Sequence, residues 1–241
     1  MAVVVVTGAS RGVGAETAVA LGARGHDVVV NYREKERRAE KVCALVREAG
    51  GRAIAVGADV TTTDGPTRLL DAAVAEFGGI DAVVLNASGG LELGADADYA
   101  MRLNRDAQVA AARAAAERLR PGGRIVFVTS HQAHFSETHP VPAGYEPIAA
   151  SKLAGELALR ALAAEEDLDL RVVSGDMIEG TIIVRLLERR DPAAVEERRS
   201  HGPLPTVSEF AAAIAGAADS GTPPGRTVYV GGRDLVPGLQ G

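Results

Sequence analysis

The chain has 241 residues, 46% of them hydrophobic, which is enough material for a sizeable core. Its formal net charge of −6 is spread along the sequence and argues against a nucleic-acid surface or a polybasic membrane contact. A single cysteine excludes an internal disulfide framework and points to a reducing compartment.

Apolar β-branched runs alternate with helical stretches along the chain. "AVVVVTG" at the start has the continuous pattern of a strand buried on both faces. A glycine-rich turn follows, then the helical "AETAVALGARG". "DVVVNY" predicts a second strand and "EKERRAEKVCALVREAG" a second helix, with Cys43 read as a small core residue beside Val42 and Leu45. "RAIAVGADV" predicts a third strand, and "PTRLLDAAVAEFGG" a helix opened by proline. "IDAVVLNA" predicts a fourth strand, followed by an Ala-rich helix over Asp98–Leu119 that "RPGG" ends. "RIVFVTS" predicts the fifth strand, "PIAASKLAGELALRALAAEE" a helix, and "LDLRVVSG" the sixth strand. "VSEFAAAIAGAAD" and "TVYVGG" predict a last helix and a seventh strand.

Such alternation means a parallel sheet with right-handed crossovers. The expectation is α/β: a single doubly wound domain over residues 1–241, a seven-stranded parallel sheet with helices on both faces. The charged segment Ile182–Pro205 interrupts the rhythm. It reads as a helical lid at about 182–205, because it follows the C-terminal end of a strand, where such sheets bind ligands; a surface insertion is the alternative. The start lacks a basic export region and no apolar stretch reaches transmembrane length, so the expected location is the cytoplasm, with no membrane partner.

"TGASRGVG", Thr7–Gly14, joins the first strand to the first helix. Gly8, Gly12 and Gly14 allow a tight turn and close backbone approach, and the helix N-terminus offers free N–H groups to a pyrophosphate. This motif resembles the cofactor fingerprint of the short-chain dehydrogenase/reductase family, and further motifs match in order. "ADV" is similar to the family's segment beside the adenine ring, with Asp59 and Val60. "LNAS" stands where the family has Asn-Asn-Ala-Gly: Asn86 and Ala87 fit, Leu85 and Ser88 depart. "MRLNRDA" places Asn104, "IVFVTS" places Ser130, and Lys152 follows on the next helix. "SGDMIEGT" resembles the Pro-Gly…Thr stretch ending at Thr181, with Ser174 in place of proline, and "VYVGG" resembles the closing strand.

The resemblance implies a Rossmann-type fold and a dinucleotide held by Gly8, Ser10, Arg11, Gly12, Val13, Gly14, Asp59, Val60, Asn86, Ala87, Lys152 and Thr181. NAD-binding relatives usually carry an acid at the end of the second strand. Here "VVVNYREKE" puts Asn31 there with Arg33 just beyond, and Asn31, Arg33 and Arg11 suit a 2′-phosphate, so NADP(H) is favoured over NAD(H). The other reading makes "REKERR" a solvated helix start with a Glu34–Arg38 pair at i,i+4.

By the same resemblance, the catalytic set is Ser130, Tyr145, Lys152 and Asn104. Serine binds the substrate oxygen, lysine supplies charge and holds the nicotinamide ribose, and asparagine holds a water. The tyrosine is out of place. In "YEPIAASK" Ile148 stands four residues before Lys152, and Tyr145 stands seven before. On a regular helix Tyr145 keeps the direction but lies about 10.5 Å from the lysine along the axis. Pro147 suits the first helical turn, which leaves Tyr145 just outside it, on a loop able to fold back over the lysine. The Ser130–Lys152 stretch is longer than the family's usual spacing and the Asn86–Asn104 segment shorter.

The lengthened loop carries His131, His134 and His139. Without cysteine or a fixed geometry these make a weak metal set, and no metal is expected. Substrate contact, or His131 or His134 as the proton donor in place of tyrosine, stays open beside solvent-facing histidines. Asp176 and Glu179 read as substrate contacts or caps of the next helix. The expected function is an NADP(H)-dependent, ketoreductase-like oxidoreductase acting on a small-molecule carbonyl or secondary alcohol; the alternative is an inactive dinucleotide-binding sensor or partner protein. Small-residue faces around Asp106–Glu117 and after Lys152, by resemblance, pair in a homodimer or homotetramer.

Overall fold

The computed structural model describes residues 1–90, 98–219 and 223–236. Seven parallel strands form one sheet in the order β3-β2-β1-β4-β5-β6-β7: β1 (Val3–Val6), β2 (Asp27–Tyr32), β3 (Arg52–Gly57), β4 (Ile80–Leu85), β5 (Leu119–Ser130), β6 (Asp169–Gly175) and β7 (Thr227–Val230). The side-chain period of two divides the valines of β1 between two cores. Val4 and Val6 pack under α1 (Gly12–Gly22), α2 (Glu36–Glu48) and α10 (Val207–Ala218). Val5 packs with α3 (Gly65–Phe77), α5 (Ala107–Ala116) and α7 (Glu146–Glu166). Both faces of β1 are therefore apolar, which is why its sequence runs without alternation. The strand order turns back at β1, between β2 and β4, and opens a crevice at the C-terminal strand ends.

Several elements differ from the sequence expectation. The Ala-rich stretch is not one helix over Asp98–Leu119: a π-helical turn (Arg102–Asp106) separates α4 (Tyr99–Met101) from α5. The widened turn follows close contact with α7, where a Cβ built on Gly155 would meet the Asn104 carbonyl oxygen. Strand β5 begins early, because Leu119 pairs with Ile80 before the register shifts and pairing resumes at Ala82 and Arg124. The third strand stops at Gly57, where pairing with Tyr32 of β2 ends, so Ala58–Val60 leave the sheet as a turn toward the crevice. Residues 91–97, within the Asn86–Asn104 segment expected to be short, lie outside the described residues.

The segment after β6 forms two helices, α8 (Ile182–Arg190) and α9 (Pro192–Ser200). Thr181 caps α8 by accepting from the Val184 N–H at 3.3 Å, and Asp191 caps α9 through the Ala194 N–H at 3.1 Å. Val184, Leu187 and Val195 join a third apolar cluster with Tyr145, Ile148 and Met177, so the two helices pack onto the start of α7. A nearly buried Arg198 fastens them to the body. Its Nε donates to Asp176 at 2.7 Å, and its Nη atoms donate to Asp234 at 2.6 and 2.7 Å. Asp176 thus ties these helices to the body through Arg198, and Glu179 is an ion-pair partner of Arg199; neither caps α8, because the Thr181 hydroxyl already does. Among the described residues no helix is long and apolar enough to cross a membrane.

Candidate functional site

A cavity of about 960 Å³ runs along the crevice, from the glycine turn to the two helices after β6. The turn is built by side chains that fix its backbone. Gly8 has φ +63°, and its N–H donates to Asn31 Oδ1 at 3.0 Å. The Thr7 hydroxyl accepts from the Asn86 and Ala87 N–H groups at 2.9 and 3.0 Å, and the Asn86 amide donates to the Thr7 carbonyl at 2.9 Å. Gly12, at φ +58°, borders the cavity, and a Cβ there would meet nothing within 4 Å. No side chain caps α1 and its first turn holds no acid. Open space before uncapped N–H groups fits the phosphates of a dinucleotide. Ser10, Arg11, Val13, Asp59, Val60 and Thr181 also border this cavity.

The second-strand residues divide their work differently from the sequence expectation. Asn31 is buried, and its amide donates to the Ala58 and Val56 carbonyls at 3.0 and 3.3 Å while accepting from Gly8. Asn31 borders the cavity, and those contacts tie its side chain to the turn and β3. Arg33 does face the cavity, held by a 2.8 Å hydrogen bond to the Tyr99 hydroxyl. Lys35 and Arg38 border the same end rather than a purely solvated helix face. Glu34 pairs with Arg33 at 3.2 Å; it precedes the first turn of α2, so the helical spacing to Arg38 does not apply.

At the other end, Ser130 closes β5 and Tyr145 is the N-cap residue of α7, directly before the helix as Pro147 implies. The Tyr145 carbonyl accepts the Ile148 and Ala149 N–H groups, which starts the helix there. Its side chain turns back toward the sheet, and the phenol oxygen lies 3.3 Å from Ser130 Oγ. Ser130, Tyr145 and Lys152 all border the cavity. Ile148, 2% exposed, fills the position one turn before Lys152, where its Cδ1 approaches Gly90. Burial raises the Tyr145 phenol pKa above its ordinary value, and the Ser130 hydrogen bond partly offsets this. Burial lowers the Lys152 ammonium to about 8.

Comparison with known proteins places these features in a lineage. The profile described as short chain dehydrogenase matches residues 2–174. The chain belongs to that family. A versicolorin reductase of Emericella nidulans is 44% identical over 138 residues, 54% of this chain and 52% of that protein. A 1-cyclohexenylcarbonyl-CoA reductase of Streptomyces collinus is 36% identical over 185 residues, 72% of this chain and 64% of that protein. A short chain dehydrogenase of Burkholderia cenocepacia, solved in complex with NADP, superposes with a TM-score of 0.77 at 29% identity, covering 94% of this chain and 95% of that one. The chain spans about half the length of the first curated relatives it matches.

Against the short-chain dehydrogenase pattern, two expectations change. Asn104 does not border the cavity: its amide donates to Gly89 O at 3.0 Å and Ser151 Oγ at 2.9 Å, and its Oδ1 accepts from Gly89 N–H at 3.3 Å. Its side chain holds the π-turn against α7 and the loop after β4 and is not free to hold a water. The histidines also turn away. His131 is buried; its Nε2–H donates to the Gly231 carbonyl at 3.2 Å and its Nδ1 meets the Ser174 hydroxyl at 2.8 Å. Burial lowers its pKa and keeps it neutral. His134 bridges Glu156 at 2.9 Å and the Tyr229 hydroxyl at 3.0 Å. Burial opposes the Glu156 charge, yet His134 and Arg160 hold its pKa below the ordinary carboxylate value. His139 is exposed and meets Thr138. With both ring nitrogens engaged outside the cavity, neither His131 nor His134 is placed to donate to a substrate there.

Sequence reasoning placed the histidine loop and the Ile182–Pro205 segment at the site without naming their wall residues; it missed Tyr99, and it did not name Gln132 or the inner face of α8. The i,i+3,i+4 spacing of Ile183, Leu186 and Leu187 was the available signal for the last. Tyr99 carried none, because its contact is with Arg33, 66 residues away.

Proposed function

We propose that the chain is an NADP(H)-dependent, ketoreductase-like oxidoreductase that reduces a small carbonyl compound, or oxidises the corresponding secondary alcohol. The observation that carries this is the Tyr145 phenol 3.3 Å from Ser130 in the cavity that also holds Lys152 and the uncapped glycine turn. When bound, the reduced nicotinamide supplies the hydride; the protein's own groups do the rest. Ser130 donates a hydrogen bond to the carbonyl oxygen. Tyr145, whose raised pKa keeps it protonated at neutral pH, delivers the proton to the oxygen as negative charge develops there. Lys152 contributes positive charge to the site while protonated. Ile148 and Gly90 pack where a phenol one turn before the lysine would otherwise stand.

For the cofactor, the preference for a 2′-phosphate rests on Arg33, Arg11, Lys35 and Arg38 at the adenosine end, against the acids Glu34 and Asp59. Asp59 accepts from the Thr61 N–H and hydroxyl at 2.9 and 2.7 Å, and Glu34 is paired with Arg33, so the cations dominate. The names of the relatives support the reaction class: two are reductases, and one solved relative holds NADP. We propose that residues 1–241 act as one domain, with α8 and α9 as its lid. Assembly as a homodimer or homotetramer through α5 and α7 fits Leu157, which is 58% exposed on α7. Sedimentation as a monomer at micromolar concentration would remove that part.

The decisive test is titration of the purified protein with NADPH and NADH, followed by a carbonyl panel monitored through NADPH oxidation. Tighter NADPH binding with turnover supports the reading. Tight binding with no turnover across the panel favours a dinucleotide sensor, a reading motivated by Ile148 at the usual tyrosine position.

A further inference from the structure

We propose that Arg190 forms an anion subsite at the mouth of the substrate end, so that the substrate is an apolar carbonyl compound carrying a carboxylate or phosphate. The inference deepens the carbonyl-reductase reading above and rests on it for the position of the reacting carbonyl.

Three observations converge. First, Arg190 lies against the chain that leads into Tyr145. It ends α8, and the next residue, Asp191, caps α9 while its Oδ2 accepts from the Ala143 N–H at 3.2 Å. The joint between the two helices is thereby fastened to the chain entering Tyr145. The Arg190 side chain runs along Gly144: a Cβ built on that glycine would lie 3.7 Å from Nη1 and 3.9 Å from Cδ. Gly144 sits at φ +78°, so a side chain there would be strained as well.

Second, the guanidinium has no acidic partner among the described residues, although it borders the cavity. On α9, Arg198 is paired with Asp176 and Asp234, and Arg199 with Glu179 and Glu188; on α8, Arg185 and Arg189 also lack an acidic partner among the described residues, but of that helix's arginines only Arg190 borders the cavity. Glu188 and Asp191, the acids nearest Arg190 in sequence, are engaged with Arg199 and with the Ala143 and Ala194 N–H groups. A cation in the last turn of a helix interacts favourably with the dipole. That reason applies equally to Arg189, which does not border the cavity.

Third, much of the wall on this side is apolar, beside Gln132, which donates to Asp176. Ile148, Met177, Ile183 and Leu187 line it, and Asp176, the acid there, is neutralised by Arg198. An apolar body with its carbonyl at Ser130 and Tyr145 would find one cation at the entrance. A planar guanidinium suits a carboxylate or phosphate by paired N–H donors.

The test gives the NADPH-loaded protein a matched set of probes: 5-oxo-5-phenylpentanoate, its methyl ester, and the phosphate monoester of the corresponding keto alcohol. Two readouts are followed, the initial rate of NADPH oxidation and the change in bound NADPH fluorescence on adding probe. One of the anions is expected to bind measurably more tightly than the ester, by up to about fivefold, as an exposed ion pair of up to about 1 kcal/mol allows. Arg190→Ala should bring the anion-to-ester ratio close to one, and Arg190→Lys should keep part of it. The preferred anion identifies the source of the charge. Equal binding of anions and ester, or an anion preference that survives in Arg190→Ala, overturns the subsite. Arg190-dependent anion binding without turnover of any probe sinks the reductase reading and keeps the subsite. Turnover of all probes with equal KM does the reverse.

Discussion

Tyr145→Phe removes one hydroxyl and keeps the ring in its apolar cluster beside Ile148 and Leu187. The hydroxyl makes one protein contact among the described residues, to Ser130 at 3.3 Å, which is longer than the usual hydroxyl pair of about 2.7–2.8 Å. Its loss therefore costs the fold no more than about 1 kcal/mol. In a chain of this size that shifts the melting temperature by about 2–4 °C at most. Catalysis should respond on another scale. A positioned general acid contributes roughly 10²–10⁴ in rate, equivalent to about 2.7–5.5 kcal/mol of barrier. The assay is NADPH oxidation with a turned-over ketone, run beside a melting curve and NADPH binding. The expected result is a rate loss in that range, with binding and melting nearly unchanged. A variant that reduces the ketone as fast as the parent, at unchanged stability, would refute the assignment of Tyr145 as proton donor.

Other consequences follow from the same geometry. Lys152 has its pKa lowered from 10.5 to about 8 in the folded chain, so between about 8 and 10.5 the unfolded chain binds more protons and cofactor-free stability rises with pH; Lys152→Met should flatten that rise in pH-dependent melting. If the charged lysine is needed, reduction should also slow as pH climbs through about 8. Arg198→Met leaves the carboxylate of Asp176, 4% exposed, without its partner, and should destabilise the protein by about 3–5 kcal/mol; Asp176→Asn in that background should recover part of the melting temperature. Tyr99→Phe removes the hydroxyl that holds Arg33 at 2.8 Å and should weaken NADPH binding more than NADH binding, read as the ratio of the two Kd values. An unchanged ratio would mean that Arg33 is positioned without Tyr99.

What the sequence determined by itself is local. The β-branched run Val3–Val6 had to be a doubly buried strand, and the glycines at 8, 12 and 14 had to form a turn into a helix, because those properties follow from adjacent side chains and backbone freedom. Pro147 likewise fixed where α7 could begin. Ser130 and Lys152 were legible through the resemblance of their motifs to the family's, and both border the cavity. The tertiary structure decided the rest, because the partners come from distant elements. Asn31 is occupied by Gly8 and Ala58, Asn104 by Gly89 and Ser151, and the histidines by Ser174, Gly231, Glu156 and Tyr229. Whether a polar side chain faces a cavity or ties two segments together depends on which backbone groups packing brings beside it. The same holds for Tyr145. Its seven-residue offset from Lys152 is written in the chain, but its return to Ser130 depends on α7 starting at the edge of β5.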